Sequence, residues 1–217
     1  MKSNRPTEVA KVMAAVLGTE LIRLQCYEGL DANTALYEWN YPRQMLELRL
    51  EEARGVEKQE IGNNIFSEEF LLKRPLLKAI QATGDRPPVL LIDEIDKSDE
   101  EFEAFLLEIL SAFQVTIPEI GTIKAKTPPI VFLTSNATRD LGDALKRRCL
   151  HLFIPLPDAK LEEQIVATRV PEIEARLRRK LVSFVQQLRD LDLKKLPSIS
   201  ETIDWARVLV LLHAEDL

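Results

Sequence analysis

Apolar positions recur along the chain in distinct patterns, and each pattern predicts a different element. Residues 7–17 (TEVAKVMAAVL) put Val9, Ala10, Met13, Ala14 and Leu17 at helical spacing among strong helix formers, and Gly18 follows where a helix C-cap belongs. Residues 20–26 alternate like a strand. Helices are predicted over 41–53, opened by Pro42 near the first turn, over 67–81 and over 98–113, with 54–66 as a polar loop. Three short apolar runs, 89–92, 130–133 and 150–154, read as strands buried on both faces. Residues 114–126 read as a hairpin around Glu119-Ile120-Gly121, and 139–148 as a short helix. Beyond Pro155-Leu156-Pro157-Asp158 only helical patterns remain: 159–168, 172–191 and 200–213. There Trp205, Val208, Leu211 and Leu212 read as core.

Strands alternating with helices, then helices alone, predict a doubly wound parallel sheet over 1–157 and a small helical domain over 158–217. With 46% hydrophobic and 29% charged residues, the chain is neither disordered, collagen-like nor a disulfide scaffold. Lys+Arg 29 against Asp+Glu 35 leaves a net charge of −6, which argues against a nucleic-acid-coating surface. Cys26 and Cys149 read as reduced thiols, and no apolar run approaches the ~20 residues that span a bilayer, so a soluble, cytoplasmic chain is expected. None of the 7 glycines has the spacing of a GxxxxGK[ST] or GxGxxG phosphate loop.

The sharpest chemical signal is Val89-Leu-Leu-Ile-Asp93-Glu94-Ile-Asp96. Carboxylates at the C-terminal end of a buried strand sit where open α/β sheets bind ligands; such an Asp can hold Mg²⁺ and a neighbouring Glu can polarise water. Asp93 or Asp96 as a simple helix cap is the plainer alternative. A second buried strand ends in Thr134-Ser135-Asn136, where Asn is either a partner of the carboxylates or an ordinary turn residue. Lys146-Arg147-Arg148 is either an arginine offered to a neighbour's phosphate or a solvated face. Cys149 and His151 read as ordinary packing, since two ligands do not make a metal site.

Together these motifs resemble an AAA+ ATPase, with Asp93-Glu94 as a Walker B pair and Asn136 as sensor 1. Within that superfamily the chain resembles the MoxR branch. Residues 21–44, 90–123 and 133–149 are similar to the subgroup associated with carbon monoxide dehydrogenase maturation, and the resemblance covers 7–212. It implies an AAA+-type three-layer parallel-sheet core followed by an all-helical lid. It also implies a hexameric ring that uses ATP and Mg²⁺ to remodel a metalloenzyme client, beside a partner carrying a von Willebrand factor A domain. By the same resemblance Asp93 holds Mg²⁺ with Thr7 as its hydroxyl ligand, Glu94 activates water and Asn136 orients it. Arg148, or failing it Arg147, is the arginine finger, and 114–126 is a pore-facing hairpin.

The chain departs from the family pattern in two places. Where the phosphate loop should end in Gly-Lys-Thr-Glu, it has Arg5-Pro6-Thr7-Glu8, and Glu201 stands at the position of the sensor 2 arginine. The family's first strand and phosphate loop are therefore expected to be absent. That predicts an N-terminally incomplete core with a gap between the strand ending at Asn136 and the one near Leu150, poor MgATP binding and negligible hydrolysis. Two other functions stay open. One is a non-enzymatic subunit lending Arg148 to an active neighbour; the other is a carboxylate-metal hydrolase using Asp93, Glu94 and Asp96.

Overall fold

Strong helix formers open the chain as helix α1 (Arg5–Leu17), which stops at Gly18, where a φ of +59° gives the left-handed turn that glycine accommodates best. There follow β1 (Leu21–Gln25), α2 (Ala32–Leu36), β2 (Tyr37–Trp39), α3 (Tyr41–Arg54), β3 (Leu71–Lys73), α4 (Pro75–Ile80), β4 (Val89–Asp93) and α5 (Glu100–Ala112). Next are β5 (Gln114–Ile117), β6 (Gly121–Lys124), β7 (Ile130–Leu133), α6 (Asp143–Arg148), α7 (Ala159–Arg169), α8 (Ala175–Arg189) and α9 (Ile199–Leu211). This computed structural model describes residues 5–54, 65–193 and 196–214. It divides into two units, one within 4–150 and the other within 151–217.

The first unit is built on a parallel sheet of order β1-β4-β7. All five residues of the central strand β4 are buried. Val89 and Leu91 meet Ala10 and Ala14 of α1 on one face. Leu90 and Ile92 join Ile22, Leu24, Leu76, Leu77, Phe102 and Leu106 on the other. Helices on both faces of a parallel sheet make a three-layer α/β core, as the run of four apolar residues before Asp93 requires. Ala10 and Ala14, one helical turn apart, let α1 approach the sheet closely, while Val9, Val12 and Val16 stay exposed on its outer side. The register pairs Gln25 with Asp93 and Ile92 with Leu133, so all three strands end on one edge.

Several expectations need correcting. The apolar run 150–154 is not a strand: Leu152 and Phe153 are 79% and 76% exposed, and the run pairs with no strand among the described residues. An isolated strand has unmet backbone hydrogen bonds, so without a neighbour the alternating pattern cannot hold it extended in a sheet. Among the described residues the core sheet therefore has three strands rather than four. β7 is half-buried at every position instead of fully buried, because it lies at a sheet edge. The helix expected over 67–81 is broken into a 3₁₀ turn (Glu68–Phe70), β3 and α4. Pro75 forces this division: it suits a first helical position but keeps Arg74 extended at ψ 170°. β3 pairs antiparallel with β2, a ribbon the sequence pattern does not announce. The helix expected from 139 begins at Asp143, with Gly142 as its N-cap. Most of the polar loop expected over 54–66 lies outside the described residues. The hairpin β5–β6 forms as the pattern predicts.

In the second unit the core is Val166, Val170, Ile173, Leu177, Leu181, Val182, Val185 and Ala206. The apolar stripe expected there faces outward instead: Leu211 and Leu212 are 77% and 71% exposed, and Trp205 and Val208 are exposed too. The opposite face of α9 is drawn inward by a polar anchor. Glu162, fully buried, accepts from Arg189 Nη1 and Nη2 (2.7 and 2.8 Å), Gln186 Nε2 (2.7 Å) and Thr202 Oγ1 (2.7 Å). A buried carboxylate needs such donors, and Thr202 supplies one only if its face of α9 turns in. Glu201 closes a capping box: its Oε2 accepts from the Ser198 N–H, and the Ser198 hydroxyl accepts from the Glu201 N–H.

Glu162→Ala leaves the Arg189 guanidinium, only 7% exposed, without its partner. The expected cost is about 3–5 kcal/mol, read from the urea transition of Trp205 fluorescence in a Trp39→Phe background. A loss under about 1 kcal/mol would show that the network does not hold the three helices together.

Candidate functional site

The shared carboxyl edge of β1, β4 and β7 gathers the polar side chains of the first unit. Asp93, the last residue of β4, is 3% exposed. Its Oδ1 accepts from the Thr134 hydroxyl, just beyond β7, and from the Thr7 hydroxyl at 3.5 Å; its Oδ2 accepts from Arg23 Nη2 at 2.5 Å. Thr7 is itself buried, held over the sheet edge by the packing of Ala10 and Ala14 one and two turns further along α1. Arg23, Gln25 and Asp93 share the α1 face of the sheet because side chains alternate along parallel strands in this register.

Glu94 turns the chain out of β4 in the left-handed region, at φ 57° and ψ 49°. That conformation costs a side-chain-bearing residue about 1–2 kcal/mol. It is held by two bonds to Thr134: the Glu94 N–H donates to its hydroxyl at 2.9 Å and the Ile95 N–H to its carbonyl at 2.9 Å. Glu94 Oε1 accepts from Asn136 Nδ2 at 3.1 Å, and Oε2 accepts from Gln25 Nε2 at 3.1 Å. Lys97 Nζ lies 2.5 Å from Oε2, and this carboxylate raises the pKa of the ammonium.

Asp96 ties the other side of the site. Its carboxylate accepts from the Asn136 N–H at 3.2 Å, the Thr138 N–H at 3.0 Å and the Thr138 hydroxyl at 2.6 Å. Burial alone would raise the Asp96 pKa, but these hydrogen bonds to the charged form outweigh it and hold the carboxyl below its usual range. Between Asn136 and Thr138, Ala137 is left-handed at φ 55°. Cys26, after β1, donates its backbone N–H to the Asp93 carbonyl at 2.9 Å. Burial, with Asp93, Asp96 and Glu94 adding repulsion, pushes its thiol up to about 12.

Of the residues singled out in the sequence, Thr7, Asp93, Glu94 and Asn136 come together here. Arg147 and Arg148 do not: they are exposed in the last turn of α6 and form no ion pair among the described residues. Cys149 and His151 are exposed rather than packed. The sequence pattern singles out none of Arg23, Gln25, Lys97 and Thr138, and marks Thr134 only as the end of a strand. The available signal was the polar pair Arg23 and Gln25 on one face of an otherwise apolar strand.

Mg²⁺ is the cation that the Walker B resemblance implies. The donors fit it in kind, since the Asp93 carboxylate and Thr7 hydroxyl are hard oxygens. Among the described residues no three His, Cys, Asp or Glu side chains converge as a cage. Held here, Mg²⁺ would rely on these two groups, water and phosphate oxygens, its usual manner of binding. The expected loss of the lysine and glycine concerns Arg5 and Pro6, whose side chains lie outside the described residues.

No protein-family profile matches the chain, and no curated protein matches it. Among solved structures, two variants of RuvB from Thermotoga maritima align with 98% and 97% of this chain, with TM-scores of 0.53 and 0.51. The fold is that of the AAA+ ATPases. At 15% and 16% identity the likeness is one of fold alone. The chain covers 55% and 54% of those structures, about half their length. Among the described residues, no helix is long and apolar enough to cross a membrane.

Two outcomes follow from this geometry. Because the folded pKa of Asp96 is depressed, its stabilisation is full above the unfolded value near 4 and is lost as pH falls through the folded value. Unfolding free energies from urea titration should therefore separate wild type from Asp96→Asn by about 1.5–3 kcal/mol at pH 7, with the gap closing on acidification below pH ~4. A constant gap would mean that the carboxylate charge is not what holds the 135–138 turn. In the native chain a thiol reagent should titrate the exposed Cys149 quickly and Cys26 only on unfolding.

Proposed function

We propose that the chain is the hydrolysing and sensing part of a MoxR-type AAA+ ATPase that serves ATP-driven remodelling in metalloenzyme cofactor maturation. The observation that supports this reading is the meeting of Asp93, Glu94, Asn136 and Thr7 at the carboxyl edge of the parallel sheet, the place where open α/β sheets bind ligands. Asp93 and the Thr7 hydroxyl would hold Mg²⁺, which when bound offsets phosphate charge. Glu94 is the base for the attacking water. Its carboxylate is aimed by Gln25, Lys97 and Asn136, and the Asn136 amide is placed to orient the same water. Asp96 keeps Asn136 in position through the backbone.

In this reading residues 1–157 form the nucleotide-handling core and 158–217 the lid, and the protein works in the cytoplasm. A hexameric ring, a von Willebrand factor A partner and a metalloenzyme client belong to it through the MoxR-like stretches 21–44, 90–123 and 133–149. With proline at the position of the phosphate-loop lysine, no ammonium is available there for the β- and γ-phosphates, so MgATP binding is weak. The exposure of Arg147 and Arg148 favours a second reading, in which the chain fills a ring position and offers Arg148 to an active neighbour.

The chain alone should leave the anisotropy of a fluorescent ATP analogue near its free value when Mg²⁺ is present. Fusing the strand and phosphate loop of a MoxR homologue ahead of Thr7 should confer binding and a turnover that Glu94→Gln abolishes. Turnover in the fused protein that is indifferent to Glu94→Gln would overturn the assignment of Glu94. Under the second reading, the chain stimulates a complete homologue and Arg148→Ala loses the effect.

A further inference from the structure

Asp93 draws its counter-charge, among the described residues, from the Arg23 guanidinium. The two partners are unequal. The Asp93 side chain is 4% exposed and anchored by Thr134, whereas Arg23 is 52% exposed. Arg23 also has a second acceptor within reach: the same Nη2 donates to Gln25 Oε1 at 2.6 Å. The guanidinium can therefore move off, and the carboxylate cannot. Moving off would leave a buried carboxylate unpaired, which is strongly unfavourable unless another cation takes its place. The oxygen at stake is Oδ2, because Oδ1 already receives two hydroxyl donors. In the structure as it stands, the carboxylate that would hold a divalent cation is already neutralised by the chain itself, and Lys97 does the same for Glu94.

We propose that Arg23 is the resident counter-ion of Asp93 and a positioning residue that gates divalent-cation entry. An arriving cation displaces the guanidinium from Oδ2, and the guanidinium shifts onto Gln25. The ion pair keeps the site intact without metal and sets the threshold at which metal binds. This inference rests on reading Asp93 as the cation-holding carboxylate. It does not rest on ATP turnover, so its tests use no nucleotide and succeed or fail separately from the ATPase assignment.

The first test measures free Mn²⁺ by electron paramagnetic resonance during titration of the purified chain. Arg23→Ala and Arg23→Gln should bind Mn²⁺ about tenfold more tightly than wild type, the scale of one charge-assisted contact. Adding Asp93→Asn should remove the gain. Unchanged affinity in either folded Arg23 variant, or a gain that survives Asp93→Asn, overturns the proposal. The second test needs no variant. During Mg²⁺ titration of the wild-type chain, the NMR signals of the Arg23 guanidinium and the Asp93 carboxyl should move with one midpoint. An Asp93 signal that moves while Arg23 stays still overturns the gating role.

Discussion

The first unit depends on one constraint: a carboxylate at the end of a fully buried central strand must find donors without access to water. Asp93 ends β4 at 3% exposure. Its needs bring three separate parts of the chain to one point. Thr134 comes from the end of β7, Arg23 from β1, and Thr7 from the first turn of α1. The register of the sheet and the close seating of α1 through Ala10 and Ala14 serve that convergence as much as they serve apolar burial.

The turns leaving the sheet extend the same logic. Glu94 and Ala137 both adopt left-handed backbone conformations, which side-chain-bearing residues seldom occupy unless their surroundings impose them. Here the surroundings are identifiable. Thr134 bonds to both Glu94 and Ile95, and Asp96 bonds to Asn136 and Thr138 on either side of Ala137. The two turns thus hold each other, and the contact between Asn136 Nδ2 and Glu94 Oε1 follows from backbone held on both sides. Turns braced in this way fix the Asn136 amide and the Glu94 carboxylate relative to each other.

The second unit settles its packing by a buried charge as well. Glu162 gathers Arg189, Gln186 and Thr202, and this choice of inward face leaves Trp205, Val208 and Leu211 exposed on α9 and Leu212 exposed at its C-cap. Apolar periodicity by itself favours the other face. The difference arises because a buried carboxylate needs hydrogen-bond donors, and Thr202 supplies one only with its face of α9 turned inward.

The sequence by itself determined the elements whose physics is local. Gly18 ends α1, Asp99 caps α5 with a bond to Phe102 N, and the apolar runs of β4 and β7 form parallel strands that terminate at Asp93 and just before Thr134. The motif residues Asp93, Glu94 and Asn136 were legible because each follows such a run. Tertiary structure decided whatever depends on a partner distant in sequence. Residues 150–154 have strand character but, among the described residues, no strand beside them, and 71–73 pairs with β2 only because Pro75 stops a helix there. Arg23 and Gln25 become part of the site through the β1–β4 register, and α9 turns the way Glu162 requires. Periodicity records which residues share a face; which face is buried depends on what the rest of the chain sets against it.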